Sequence, residues 1–330
     1  RRNEGEGIGA APMHPGGPLV RLILYLPRMP SPAAESPAPL PARPGRRSIV
    51  LTDALLFLMA LIWAVNYSVL KFGTRYVPPL AYNGVRIPLA AALQFGIGQA
   101  MRLPPIARRD AIQLILLGML GNGVYQVFFI LGQARSRVAT TVLMLASGPA
   151  LAAIFGRLRG TERLTRRSWL GIALQLAGVG CVVLGTAGGT GGTDSLTGVG
   201  LVLASAVSWA LFSVLVQPLT TRVAGLHVGA YTMLGGGVLS LVVAVPAILA
   251  TTWPTVPPAA YGAMAYSTIG AMVIAYLFLY HGVRVLGPTH TSMYSNMQPL
   301  MAMVVAWATL GEFPTRWQLA GAVLIMGGLV

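Results

Sequence analysis

The sequence predicts an all-α polytopic membrane protein, with ten transmembrane helices arranged as two inverted five-helix repeats. Three observations predict it. Hydrophobic residues make up 55% of the 330 and charged residues only 9%, against roughly 25% charged in an ordinary soluble domain. Apolar runs near the length that crosses a bilayer, about 20 residues, recur from Ala54 onward. The chain also matches itself at an offset of 150 residues.

The elements follow in order. Residues 1–46 carry ten of the 24 prolines with Ala, Gly and scattered Arg, a composition that cannot bury a core, so a disordered tail is expected over 1–50. The chain begins with Arg1 in place of Met, which fits a fragment or a displaced start. Ten apolar runs then read as helices: Ala54–Leu70, Leu80–Ala100, Ala111–Leu131, Val138–Phe155, Trp169–Thr186, Val199–Val216, Val228–Ala250, Tyr261–Tyr280, Thr289–Leu310 and Trp317–Val330. The last has 14 residues, about 21 Å of helix against a hydrocarbon core of about 30 Å, so its end is expected to be cut off.

The self-match pairs Phe128 with Phe278, Thr141 with Thr291, Pro149 with Pro299, Glu162 with Glu312 and Gly178 with Gly328, without a gap. Trp63-Ala64 matches Trp209-Ala210 at the slightly different offset of 146. The expected units are 51–187 and 198–330, joined by a Gly-rich linker over 188–197. Five helices per unit is an odd number, so the second copy must enter the membrane inverted. Inverted repeats suit alternating access to a site near the midplane.

Charge and cysteine narrow the classes further. The net charge of +15 resides largely in the tail and in short segments between apolar runs, where it sets orientation and does not point to nucleic acid. Loops after even-numbered helices carry ten basic residues and those after odd-numbered ones five, which places both termini in the cytoplasm of a multi-pass protein of the inner or plasma membrane. Cys181 is alone, so neither an intramolecular disulfide nor a cysteine metal cluster is available. The glycines of Gly185–Gly192 lack the Gly-Lys-Ser/Thr ending of a phosphate loop. No cofactor, no metal and no enzymatic chemistry are expected.

Trp63-Ala64-Val65-Asn66 with Lys71, Pro78-Pro79, Arg86, Pro149, Glu162-Arg163 and Gly171 in the first copy, and Pro299, Leu310-Gly311-Glu312 and Gly321 in the second, together resemble the drug/metabolite transporter superfamily, in particular proteins with two EamA-type domains. The resemblance covers about residues 52–330. It implies a ten-helix carrier of small metabolites such as amino acids or drugs, often an exporter. The first copy departs from the family's Leu-Gly-Glu by reading Gly160-Thr161-Glu162, and Arg163 becomes Phe313 in the second. Expected partners are a small-molecule substrate and the lipid bilayer; coupling to protons and a homodimer both stay open. The rival classes are a membrane receptor or scaffold and a membrane enzyme without transport.

Polar and aromatic residues inside apolar helices are the candidates for a central site: Trp63, Asn66, Tyr125, Gln126, Trp209, Tyr276, Asn296 and Gln298. Interhelical hydrogen bonding explains any one of them equally well. Arg86, about 9 Å into its helix, either meets a substrate carboxylate in a watery cavity or snorkels to the surface. Pro149 and Pro299 each free a backbone carbonyl and mark bends or hinges. Glu162 and Glu312 fall at opposite faces, as gating or helix-orienting charges with Arg166 and Arg316 as local partners. None of the eight acidic residues lies mid-helix, so the usual carboxylate relay is missing.

Overall fold

The computed structural model describes residues 46–101, 105–188 and 194–329. The tail expected over 1–50 falls outside the described residues up to position 45, as do 189–193 of the Gly-rich linker. From Arg46 the chain is helical, so the first helix starts eight residues before the apolar run does.

Ten helical rods occupy the described residues: α1 (Arg46–Gly73), α2 (Pro79–Ala100), α3 (Arg108–Gln133), α4 (Val138–Leu158), α5 (Arg166–Ala187), α6 (Leu196–Thr220), α7 (Gly225–Ala250), α8 (Pro258–Leu286), α9 (Pro288–Leu310) and α10 (Arg316–Gly327). Seven of them are long and apolar enough to cross a membrane. The three that fall short are α2, α9 and α10. Two of these are long enough, but α2 carries Asn83, Arg86 and Gln94, and the first half of α9 carries Ser295, Asn296 and Gln298.

Local chemistry sets several boundaries. Thr165 and Thr315, equivalent at the 150 offset, both cap their helices: Thr165 accepts from Ser168 N–H, and Thr315 forms a full capping box with Gln318. Gly311 ends α9 at φ 68°, a left-handed turn that glycine adopts without a side-chain clash. Within α3 the turns Met119–Val124 are π-helical, and so are Tyr266–Ile274 of α8. Such turns loosen the regular ladder and cluster at functional sites.

The packing is organised in matching pairs. α2 lies along α7, and α5 along α10; α1 packs on α8 and α9, while α6 packs on α3 and α4. Exchanging the first five rods with the last five maps this list onto itself. The α5–α10 seam is built on facing glycines, since a Cβ added to Gly178 would lie 2.8 Å from Gly321 O and one added to Gly321 2.9 Å from Gly178 O. In lipid, such close backbone approach is a main source of helix association. Gly180, by contrast, faces open space. Large apolar side chains remain on the outside, Leu249 at 81% and Val323 at 73% exposure among them.

Two clusters of polar contacts define the ends of the bundle. Lys71 at the end of α1, Ser136 to Val138 at the start of α4, Asp194 ahead of α6, Glu312 after α9 and Gln318 in the first turn of α10 share one end. Asp53 in the second turn of α1, His281 late in α8, and His290 and Tyr294 at the start of α9 share the other. We call these the Lys71 end and the Asp53 end.

Candidate functional site

A cavity of about 330 Å³ lies between the rods. All nine residues read from the sequence as substrate candidates line it, Arg86 included, and so do Pro149 and Pro299. Glu162 and Glu312 do not; they sit beyond its two ends.

Each wall has a local reason. Trp63, Asn66 and Tyr67 are spaced so that one face of α1 presents all three. Within the π turns of α8, Ala271 O accepts from Trp63 Nε1 at 2.8 Å and Met272 O accepts from Gln94 Nε2 at 2.6 Å. Tyr125 follows directly on the π turns of α3 and meets Trp209 at 5.2 Å between ring centroids, while Trp63 meets Tyr276 edge-on at 5.4 Å. The aromatic residues of α1, α3, α6 and α8 thus form much of the lining.

Arg86 does not snorkel. It is 1% exposed, with Nε donating to Asn83 Oδ1 at 2.8 Å and Nη2 to Gln126 Oε1 at 2.8 Å. Asn83 in turn donates to Gln126 O at 2.7 Å. Two neutral amides hold the guanidinium, and no carboxylate among the described residues pairs with it. Asn66 Oδ1, also in the lining, is buried with no partner.

The Lys71 end is tied shut. Lys71 Nζ pairs with Glu312 Oε1 at 2.6 Å and donates to Ser136 O at 2.7 Å, and Glu312 Oε2 accepts from Val138 N–H at 2.8 Å. Beside it, Asp194 accepts from the Arg137 backbone N–H, from Thr140 Oγ1 at 2.7 Å and from Gln318 Nε2 at 3.2 Å. Burial pushes the Asp194 carboxyl up from its usual range; the hydrogen bonds and the Lys71 and Arg137 charges pull it back only in part. These links join α1 and α9 to α4 and α6.

Among the described residues, the ion pairs at the Asp53 end run within two groups of helices. Asp53 binds His290 at 2.9 Å and Tyr294 at 2.9 Å, which joins α1 to α9. Arg222 pairs with Asp110 at 2.7 Å and Arg159 donates to Val214 O at 2.8 Å, which joins α6 to α3 and α4. α4 is itself divided: it breaks after Leu145, Pro149 opens the next helical segment, the earlier half packs on both α9 and α6, and the later half packs on α6 and α5. The cavity lining runs toward this end through Ser295 and Leu329.

One expectation is corrected. Arg166 and Arg316 are not the partners of the glutamates: Glu312 pairs with Lys71, Arg316 lies over the Trp317 ring at 6.0 Å, and no ion pair among the described residues involves Glu162. Pro299 sits inside a continuous α9, whereas Pro149 marks a true interruption of α4. Sequence reasoning also passed over Asn83 and Tyr67. Asn83, three residues before a buried Arg on the same helix, was the available signal.

A model of the EamA-like transporter family matches residues 50–184 and again 196–330. The chain belongs to the EamA-like transporter family. It is 29% identical over 297 residues to the uncharacterized inner membrane transporter YedA of Escherichia coli strain K12, covering 86% of this chain and 92% of that protein. It is 27% identical over 276 residues to a probable terminal-alkyne amino-acid exporter of Streptantibioticus cattleyicolor, covering 83% and 91%. A solved crystal structure shares the fold at a TM-score of 0.58 and 22% identity, over 84% of this chain and 95% of that one. The family and the names of these relatives indicate transporters and not enzymes. Membership and apolar helices together make this a membrane transporter.

Proposed function

We propose that this transporter is a secondary exporter of small metabolites that works by alternating access between two inverted five-helix repeats, with both termini in the cytoplasm. The observation that carries the reading is the unequal closure of the cavity: Lys71, Glu312 and Asp194 link α1 and α9 to α4 and α6 at one end, whereas among the described residues the ion pairs at the Asp53 end join α1 with α9 and α6 with α3. The self-mapping packing list and the doubled family match support the repeats. Their inversion has geometric support: α1 runs from the Asp53 end to the Lys71 end, while its counterpart α6 starts beside Asp194 and finishes beside Arg222 and Asp110. Basic residues crowd the loops at the Asp53 end, which supports a cytoplasmic position for that end. The cavity is then open to cytoplasmic cargo, the loading state of an exporter. Outward direction is further supported by the relative named as a probable terminal-alkyne amino-acid exporter.

The test is flux. Protein reconstituted in liposomes loaded with mixed amino acids and small metabolites should release a subset of them over time, with protein-free vesicles as control and with or without an imposed pH gradient. Correctly inserted protein that releases none of them overturns the reading. Reporter fusions after Arg167 and after Asp194 should report cytoplasmic and external locations respectively.

A further inference from the structure

Arg86 is a buried cation in a site whose other polar groups are neutral. A charged side chain at membrane depth is costly unless compensated, and two amide oxygens supply hydrogen bonds without supplying charge. The acidic residues nearest the cavity's ends, Glu312, Asp194 and Asp53, are each engaged elsewhere. The counter-charge must therefore come from the cargo. A second signal sits across the lining, where the acceptor Asn66 Oδ1 is buried with no donor.

The geometry points to a cargo that is a small net monoanion: a carboxylate carrying an apolar body and one neutral N–H or O–H donor, as in N-acylated amino acids or hydroxy acids. This rests on the carrier reading above and names its substrate class. The carboxylate meets the Arg86 fork, the apolar body lies against the aromatic wall, and the donor reaches Asn66. A zwitterionic amino acid fits less well. Its carboxylate neutralises Arg86, but its ammonium then stands in the same low-dielectric space with no carboxylate to face, and the loaded site keeps a net positive charge.

The assignment also removes the need for a coupling carboxylate. An exporter that moves a net negative charge outward is driven by an inside-negative membrane potential alone. With the monoanion bound the site is neutral, and emptied it is positive, so the returning carrier moves with the same field. Efflux should be electrogenic and should not require a pH gradient.

The experiment uses three solutes of one body: N-acetyl-leucine (monoanion), leucine (zwitterion) and N-acetyl-leucinamide (neutral). Their efflux from proteoliposomes is followed with and without an inside-negative potential set by a potassium gradient and valinomycin. Binding in detergent is followed through tryptophan fluorescence, since Trp63 and Trp209 line the cavity. The expected result is protein-dependent efflux of N-acetyl-leucine about tenfold faster than of leucine, accelerated by the potential, with tighter binding in the same order. Arg86→Gln should lose the preference, and Arg86→Lys, which keeps the charge, should retain part of it even if the Gln variant does not fold. Leucine leaving as fast as N-acetyl-leucine overturns the monoanion assignment and leaves the carrier reading standing. Selective binding of N-acetyl-leucine without efflux supports the assignment and overturns the carrier reading. No binding and no efflux of any solute overturns both.

Discussion

The two ends of the bundle are built from matching sequence and are closed in different ways. At one, Glu312 is 13% exposed, paired with Lys71 and hydrogen-bonded to the Val138 backbone. At the other, Glu162 occupies the equivalent position and is exposed. The 146 offset puts Gln217 where Lys71 would be, and the 150 offset puts Pro288, with no N–H to donate, where Val138 is. Thr140, which holds Asp194, becomes His290, which holds Asp53 in a pair 44% and 32% exposed. A repeat therefore need not close two equal doors. A few substitutions at helix ends turn one copy into a buried latch and leave the other with solvent-screened contacts, whose worth is about 0–1 kcal/mol.

Breaking the latch tests the comparison most directly. Lys71→Met leaves the Glu312 carboxylate without its cation, at a cost of roughly 1–3 kcal/mol. In a protein carrying Cys181→Ser and Ser136→Cys, it should raise the rate of thiol labelling at position 136 several-fold, with Lys71→Arg intermediate. Unchanged labelling would mean that the pair does not hold this end shut.

A smaller effect separates the two glutamates. Glu312→Gln should lower the thermal midpoint in detergent, whereas Glu162→Gln should change stability by no more than about 0.5 kcal/mol, as exposed positions do. Equal losses would say that the two ends are equivalent after all.

The smallest effect sharpens the contrast through pH. The Asp194 carboxyl is raised by burial in the latched arrangement and returns to the ordinary range when the end opens or unfolds. The closed state thus binds the proton more tightly, and acid favours it. Its contribution is fully present below the ordinary carboxylate range and fades as pH rises through the raised value. The stability of the protein relative to Asp194→Asn should fall across that window; a difference that grows with pH would reverse the assignment.

Much of the fold was legible because hydropathy is a local property of twenty consecutive residues. The ten runs all became helices, with ends extended by capping and by turns that apolar counting does not see. The π-helical turns of α3 and α8 were not read from the sequence: Gly121-Asn122-Gly123 weakens a helix without specifying which kind of turn replaces it, and Tyr266–Ile274 carries no such interruption beyond Gly270. The cavity residues stood out as polar or aromatic side chains in apolar surroundings, a signal that survives without coordinates. The partner of Glu312 did not. Arg316 is four residues away in sequence and Lys71 is 241 away, and local reasoning favours the first; the fold brings the second to 2.6 Å in a partly dry place where the ion pair is less screened. Asp194 likewise reads as linker until α4 and α10 arrive around it.

By itself, then, the sequence determined that this chain lives in a membrane, that it is doubled, and which side chains are too polar for lipid. Tertiary structure alone decided which of two equivalent carboxylates receives the lysine, that Arg86 is met by amides and by no acid among the described residues, and that one end of the cavity is tied across by an ion pair. The physical reason is range. Burial of an apolar run is set by its own composition, but the energy of a charge depends on what the rest of the fold places within a few ångströms of it.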